Sequence, residues 1–177
     1  PNMISRVSLD PAIIDCVVFW TKNPTPMIER LDRLADYKYY FQFTLNPYGT
    51  KLESKLPSLD RRIDTFKRLA DRIGKEKVVW RYDPILTNEQ YTVAFHQDKF
   101  AEMAVSLQGY TEKCMLGFID HYPHVRASLR EFNIEPLAKE DIEAMAVAFR
   151  KTADDLSMEL DTCTTRVDLS HIGIPSG

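Results

Sequence analysis

Apolar residues recur along the chain in two alternating rhythms. Short runs rich in β-branched and aromatic residues occur at Cys16–Thr21 (CVVFWT), Tyr39–Leu45 (YYFQFTL), Lys77–Tyr82 (KVVWRY), Cys114–Ile119 (CMLGFI) and Met158–Thr162 (MELDT). Turn-forming residues flank them, so each is predicted as a strand. Between them the apolar positions fall at helical spacing. A first helix opens at Thr25-Pro26, where Pro suits the first helical position, and buries Ile28, Leu31, Leu34 and Ala35. A second runs from about Ser58 to Ile73 with Ile63, Phe66, Leu69, Ala70 and Ile73 on one stripe and Gly74 as its stop. A third starts near Thr92, carries Phe100, Met103, Ala104 and Leu107, and stops at Gly109. A short helix follows around Val125–Phe132. A last long one starts near Lys139 and presents Ile142, Met145, Ala146, Phe149, Ala153 and Leu156.

Strand, helix, strand, helix is the pattern of a parallel sheet with right-handed crossovers. The units are fewer than the eight of a closed barrel. The predicted fold is therefore α/β: a partial TIM-like (β/α) barrel, or an open parallel sheet with helices on the outer side. All 177 residues fit one such domain. The chain begins at Pro1-Asn2 and stops at Ser176-Gly177, which reads as a fragment of a longer protein.

Ligands of parallel sheets bind outside the carboxyl ends of the strands. Two long connections lie there, residues 46–57, expected as a surface flap, and residues 120–137. Side chains alternate faces along a strand. Gln42, Thr44 and Asn46 therefore share a face, as do Arg81 and Asp83, and Glu159, Asp161 and Cys163. Polar residues on a face that a packed barrel would fill with Val, Ile and Leu predict a wet or ligand-filled cavity. The bland alternative is a solvent-exposed side of an open sheet.

The strand ends carry the candidate chemistry. Lys22 is an anion binder, a base or a Schiff-base amine, or else a surface lysine in a turn. Arg81 grips a carboxylate or phosphate in a forked geometry, with Asp83 orienting it or binding a cation or ribose hydroxyls; the alternative is an internal ion pair. Asp120, His121 and His124 are ligand types for zinc or iron, but their spacing matches no helix-borne metal motif, and the histidines read as surface residues. Cys163 is a ligand, a nucleophile or a small buried residue. The catalytic candidates are thus Lys22, Asp83 and Asp120. Gln42, Thr44, Asn46, Arg81 and Asp161 are the cofactor-binding candidates, and Cys163 is the metal candidate.

Composition narrows the classes. Charged residues make up 28% of the chain and the net charge is -3, which argues against general nucleic-acid binding. No apolar run approaches the ~18–20 residues of a membrane span, and no signal peptide is visible. The three cysteines, Cys16, Cys114 and Cys163, are odd in number and widely spaced. They predict a reducing, cytoplasmic setting and exclude a four-cysteine site on these residues alone. Cys16 and Cys114 sit in apolar strands and are expected in the core. No P-loop, dinucleotide fingerprint or nucleophile elbow is present.

Several runs resemble a known family. Ser5-Arg6-Val7-Ser8-Leu9, the stretch DCVVFWTKNP from Asp15 to Pro24, YFQFT from Tyr40 to Thr44, WRYDPIL from Trp80 to Leu86 and Thr162-Cys163 look like the bacterial family Domain of Unknown Function 1848. The resemblance covers essentially the whole chain. It implies longer members with an extra amino-terminal strand and a cysteine-rich carboxyl tail. It also implies a distant relationship to radical S-adenosylmethionine enzymes of the spore photoproduct lyase type, which use partial (β/α) barrels; Tyr82-Asp83-Pro84-Ile85 is similar to a segment of those lyases. The implied function is the core of an iron–sulfur-dependent enzyme whose cluster cysteines lie outside this chain. No cofactor is expected on the fragment itself, while the cluster and S-adenosylmethionine belong to the full-length protein. A small-molecule or nucleotide-derived ligand is the expected partner. Two other readings stay open. One is a divalent-metal or cofactor-free lyase or hydrolase using Asp120, Asp83 and His121. The other is a non-catalytic binding domain using the same cavity.

Overall fold

The computed structural model describes residues 7–120, 125–163 and 167–175. Five strands form one sheet: β1 (Val17–Thr21), β2 (Tyr39–Thr44), β3 (Val78–Ile85), β4 (Lys113–Phe118) and β5 (Glu159–Thr162). They pair in the order β1-β2-β3-β4-β5, and every pairing is parallel. The helices between them are α1 (Thr25–Ile28), α2 (Leu59–Ile73), α3 (Val93–Leu107), α4 (Arg126–Glu131) and α5 (Lys139–Asp155). Sequential strand order without a reversal is the winding of a (β/α) barrel, not of a doubly wound sheet, which has a switch point. Among the described residues the sheet is open, with β1 and β5 at its edges.

One face of the sheet is apolar, and α2, α3 and α5 all pack on it. Phe43 stacks on Phe66 of α2, Trp80 on Phe100 of α3, and Tyr82 meets Phe149 of α5 edge to face. Phe100 and Phe149 stack in turn with centroids 4.2 Å apart, which joins α3 to α5 in the same layer. Cys114 and Leu116 of β4 belong to this core. Because side chains alternate, the opposite face carries Val18, Trp20, Tyr40, Gln42, Thr44, Val79, Arg81, Asp83, Met115, Gly117 and Asp161.

The helices follow the apolar spacing, with one exception. Ser58 precedes α2, and Gly74 ends it with φ 95°, a value that side chains disfavour. Thr92 caps α3 by accepting from the backbone N–H of Phe95 at 3.1 Å. The first helix, expected to continue to Ala35, breaks after Ile28 and resumes as a 3₁₀ turn over Leu31–Leu34, leaving Ala35 exposed. Ile28, Leu31 and Leu34 are three residues apart, the period of a 3₁₀ turn, so the same apolar stripe is satisfied by the tighter winding.

A second, smaller apolar cluster of Tyr48, Leu86, Tyr91, Leu129 and Ile134 caps the carboxyl end of the sheet. The connection 46–57 is therefore anchored rather than a free flap, because Tyr48 and Glu53 within it are buried. The Tyr48 hydroxyl donates to the Pro84 carbonyl at 2.6 Å and accepts from the Leu86 N–H at 3.1 Å. His96 lies fully buried beneath the cap. Its Nε2 faces the Leu86 carbonyl at 2.7 Å, which only accepts, so this nitrogen carries the proton. Nδ1 then accepts from the Tyr82 hydroxyl at 2.8 Å.

Burial pushes the His96 imidazole below its ordinary value, against a smaller upward pull from the Leu86 carbonyl. The unfolded chain protonates this histidine near pH ~6.5, and the folded chain only at lower pH. The folded state thus binds fewer protons in that window. Its stability is fully present above about pH 6.5 and is lost as pH falls through the folded value. Urea midpoints of the wild type and of His96→Gln should therefore draw together as pH is lowered from about 7 to about 5. A gap independent of pH would mean that the ring is not held neutral by burial.

Candidate functional site

The open face reaches its greatest polarity at the carboxyl ends of β1, β2 and β3, around Arg81. The Arg81 guanidinium donates from Nη1 to Gln42 Oε1 at 2.7 Å and from Nη2 to Asp83 Oδ2. Its carbon lies 4.0 Å from the centre of the Trp20 ring, and Cys163 is near enough to act on its charge. Trp20 Nε1 donates to Thr44 Oγ1 at 3.1 Å. Burial works against the Arg81 charge, but the accepting groups of Cys163 and Asp83, with the Asp83 charge, hold the guanidinium above its ordinary value. Arg81 therefore stays cationic.

The backbone explains why Asp83 reaches this position. The β3–β4 register runs Tyr82↔Leu116 and then Ile85↔Phe118, so β3 carries one extra residue opposite Gly117. Such a bulge re-aims a side chain. Pro84, which has no N–H to give the ladder, occupies the bulge and follows a cis peptide bond. Asp83 then folds over the bare backbone of Gly117. A Cβ on Gly117 would sit 2.9 Å from Asp83 Cβ and closer still to its carboxyl group. The backbone of Asp83 is held by Asn46, whose Nδ2 donates to the Asp83 carbonyl at 2.8 Å and whose Oδ1 accepts its N–H at 3.0 Å.

The structure thus brings Gln42, Thr44, Arg81, Asp83 and Cys163 together and sets Asn46 behind them as the residue that positions Asp83. The forked donors of Arg81, expected to face a ligand, are turned inward onto Gln42 and Asp83, and the side chain is only 3% exposed. The outward groups are Asp83, with its side chain 22% exposed, and the Trp20 ring. Asp161 shares the face, but its Oδ2 accepts from Lys113 Nζ at 2.7 Å and its Oδ1 from the Thr162 N–H. Asp120 lies half-buried two residues past β4, at the same end of the sheet. His121 and His124 fall outside the described residues.

Lys22 belongs to a different cluster. Its Nζ meets Glu53 Oε1 at 2.8 Å, and Glu53 Oε2 meets Arg62 Nη1 of α2 at 2.9 Å. Glu53 and Arg62 are buried, and Arg62 also donates to the Asn46 carbonyl at 3.1 Å. Lys22 and Arg62 thus pin the connection 46–57 through one glutamate. Sequence reading missed Trp20, Gly117, Glu53 and Arg62. Only Gly117 left a signal there, as a glycine inside a strand, which marks a bulge or a close approach. A buried Arg62 on an otherwise polar helix position leaves none.

The cysteines do not converge. Cys16 is exposed at the amino end of β1, Cys114 is buried on the helix-covered face of β4, and Cys163 is half-buried past the carboxyl end of β5. Cys16 was expected in the core; it precedes the first ladder pair and escapes the helical layer. Burial pushes the Cys114 thiol well up, which keeps it protonated and a poor ligand. Among the described residues no group of three or more His, Cys, Asp and Glu side chains could hold a metal ion. An iron–sulfur cluster therefore does not fit the described residues.

Among the described residues no helix is long and apolar enough to cross a membrane. No curated protein and no solved structure matches the chain. The family model described as Domain of unknown function (DUF1848) matches residues 1–177, the whole length over which the parallel sheet and its polar face are built, and the chain belongs to that family.

Proposed function

We propose that this chain is the ligand-binding core of a radical S-adenosylmethionine-like, iron–sulfur-dependent enzyme, with the cluster held by cysteines other than those described above. The observation that carries the binding role is the Arg81–Asp83 unit, built over Gly117 at the carboxyl end of the open face. The cations on this face are paired, Arg81 with Asp83 and Lys113 with Asp161, and Glu159 of β5 adds an exposed carboxylate. A face whose excess charge is negative suits a neutral or zwitterionic, nucleoside-derived small molecule better than a phosphate-rich one. Asp83 accepts hydrogen bonds from hydroxyl or amine donors of that ligand. Arg81, itself held by Gln42, and Asn46 hold Asp83 in place, so little freedom is lost on binding. The radical assignment is supported by the family resemblance and by the barrel-type winding.

The test is anaerobic reconstitution with iron and sulfide, applied to this chain and to the longer protein that contains it, followed by iron and sulfide counting and visible absorption. The expected result is no cluster on the 177 residues and one on the longer protein. A stoichiometric cluster on this chain would contradict the separation of Cys16, Cys114 and Cys163. An iron-free longer protein removes the radical reading, and a divalent-metal lyase or hydrolase, or a plain binding domain, then takes its place.

A further inference from the structure

Trp20 combines two properties that rarely go together. It is 63% exposed, yet its ring is fixed twice, by the hydrogen bond to Thr44 and by the guanidinium of Arg81 against one face. Exposure of a large ring forgoes hydrophobic stabilisation, and an unused surface tryptophan is normally free to turn. Here one face of the indole is covered, so the solvent exposure belongs to the opposite face and the edge.

We propose that Trp20 is a stacking platform for a planar, uncharged heteroaromatic ring of the purine class. This rests on reading the open face as a ligand-binding wall. The guanidinium draws the π density of the indole toward itself, so a second cation on the outer face is disfavoured. Offset stacking and dispersion with a neutral ring remain. A purine also carries donors on its edge, and the Asp83 carboxylate, paired with the same guanidinium, is an acceptor beside Trp20 on this side of the sheet. The other occupant that an exposed ring at an edge strand invites is a second copy of the chain, since Val18 beside it is also exposed.

The probe is adenosine, with choline as the cationic control. Binding is measured by equilibrium dialysis for the wild type, Trp20→Phe, Trp20→Leu and Asp83→Asn, and by fluorescence for the wild type. Trp80 is fully buried, so the red edge of the emission reports Trp20. Adenosine is expected to quench that edge. Trp20→Leu should weaken adenosine binding about tenfold or more, while Trp20→Phe, which keeps a ring, stays within about threefold. Choline should not compete. Undiminished binding to Trp20→Leu overturns the platform; if Asp83→Asn loses binding at the same time, the ligand wall stands and only the stacking role falls. Failure of adenosine to bind the wild type overturns the platform, whatever the iron measurement gives. Choline displacing adenosine overturns the preference for an uncharged ring. A dimer in sedimentation that Trp20→Leu converts to monomer overturns the proposal in favour of a second copy.

Discussion

Replacing Glu53 with leucine should destabilise the protein by about 3–5 kcal/mol, the range for removing one partner of a buried ion pair. Glu53 and Arg62 have side chains only 5% and 2% exposed, so water cannot replace the lost carboxylate around the guanidinium. Lys22, with its side chain 43% exposed, turns outward at little cost. The double variant Glu53→Leu/Arg62→Met removes both charges and keeps apolar volume. It should recover most of the loss, because a well-packed hydrophobic pair of similar size is often neutral against a buried salt bridge. Urea unfolding of the two single variants and the double variant measures the coupling. A Glu53→Leu cost below about 1 kcal/mol would show that this pair behaves as a solvated one. The same variant should release the connection 46–57, read as faster proteolysis there, since Glu53 is its tie to both β1 and α2.

The second large effect is expected at Gly117. Adding a methyl group there forces Asp83 off the strand or β4 out of register, because the space is already occupied by the Asp83 side chain. Gly117→Ala should cost about 1–3 kcal/mol from overpacking. It should also part Asp83 from Arg81, a cation buried enough to need its counterion. The cost should shrink markedly in an Asp83→Ala background, where the carboxyl group is gone. A double-mutant cycle gives the coupling, and independent, additive losses would sink the idea that Gly117 exists to seat Asp83. The cycle separates this role from a general intolerance of β4, which would be the same in both backgrounds.

Much of this architecture was legible along the chain. The five strands, the three long helices and the parallel winding follow from local periodicity and from strand–helix alternation, which any parallel sheet must obey. Gln42, Thr44, Arg81, Asp83 and Cys163 could be placed at one end of one face because alternation fixes a face and the strand end fixes a height. Their convergence needed no knowledge of distant residues beyond the order of the strands.

What the chain alone could not reveal depended on pairs far apart in sequence. Whether Arg81 faces a ligand or turns inward is decided by Gln42 and Trp20, 39 and 61 residues away, and by the room left at Gly117. The bulge that seats Asp83 is a mismatch in register between β3 and β4, a property of two strands together. The burial of Glu53 and Arg62 is likewise set by tertiary packing, since neither position breaks a local pattern. Periodicity records which side of an element meets the core, and so the sequence by itself determined the sheet, its winding and the polar face. Only the tertiary structure decided which polar groups on that face are turned onto one another, as Arg81 is onto Gln42 and Asp83, and which side chains, Asp83 and Trp20, keep an exposed surface.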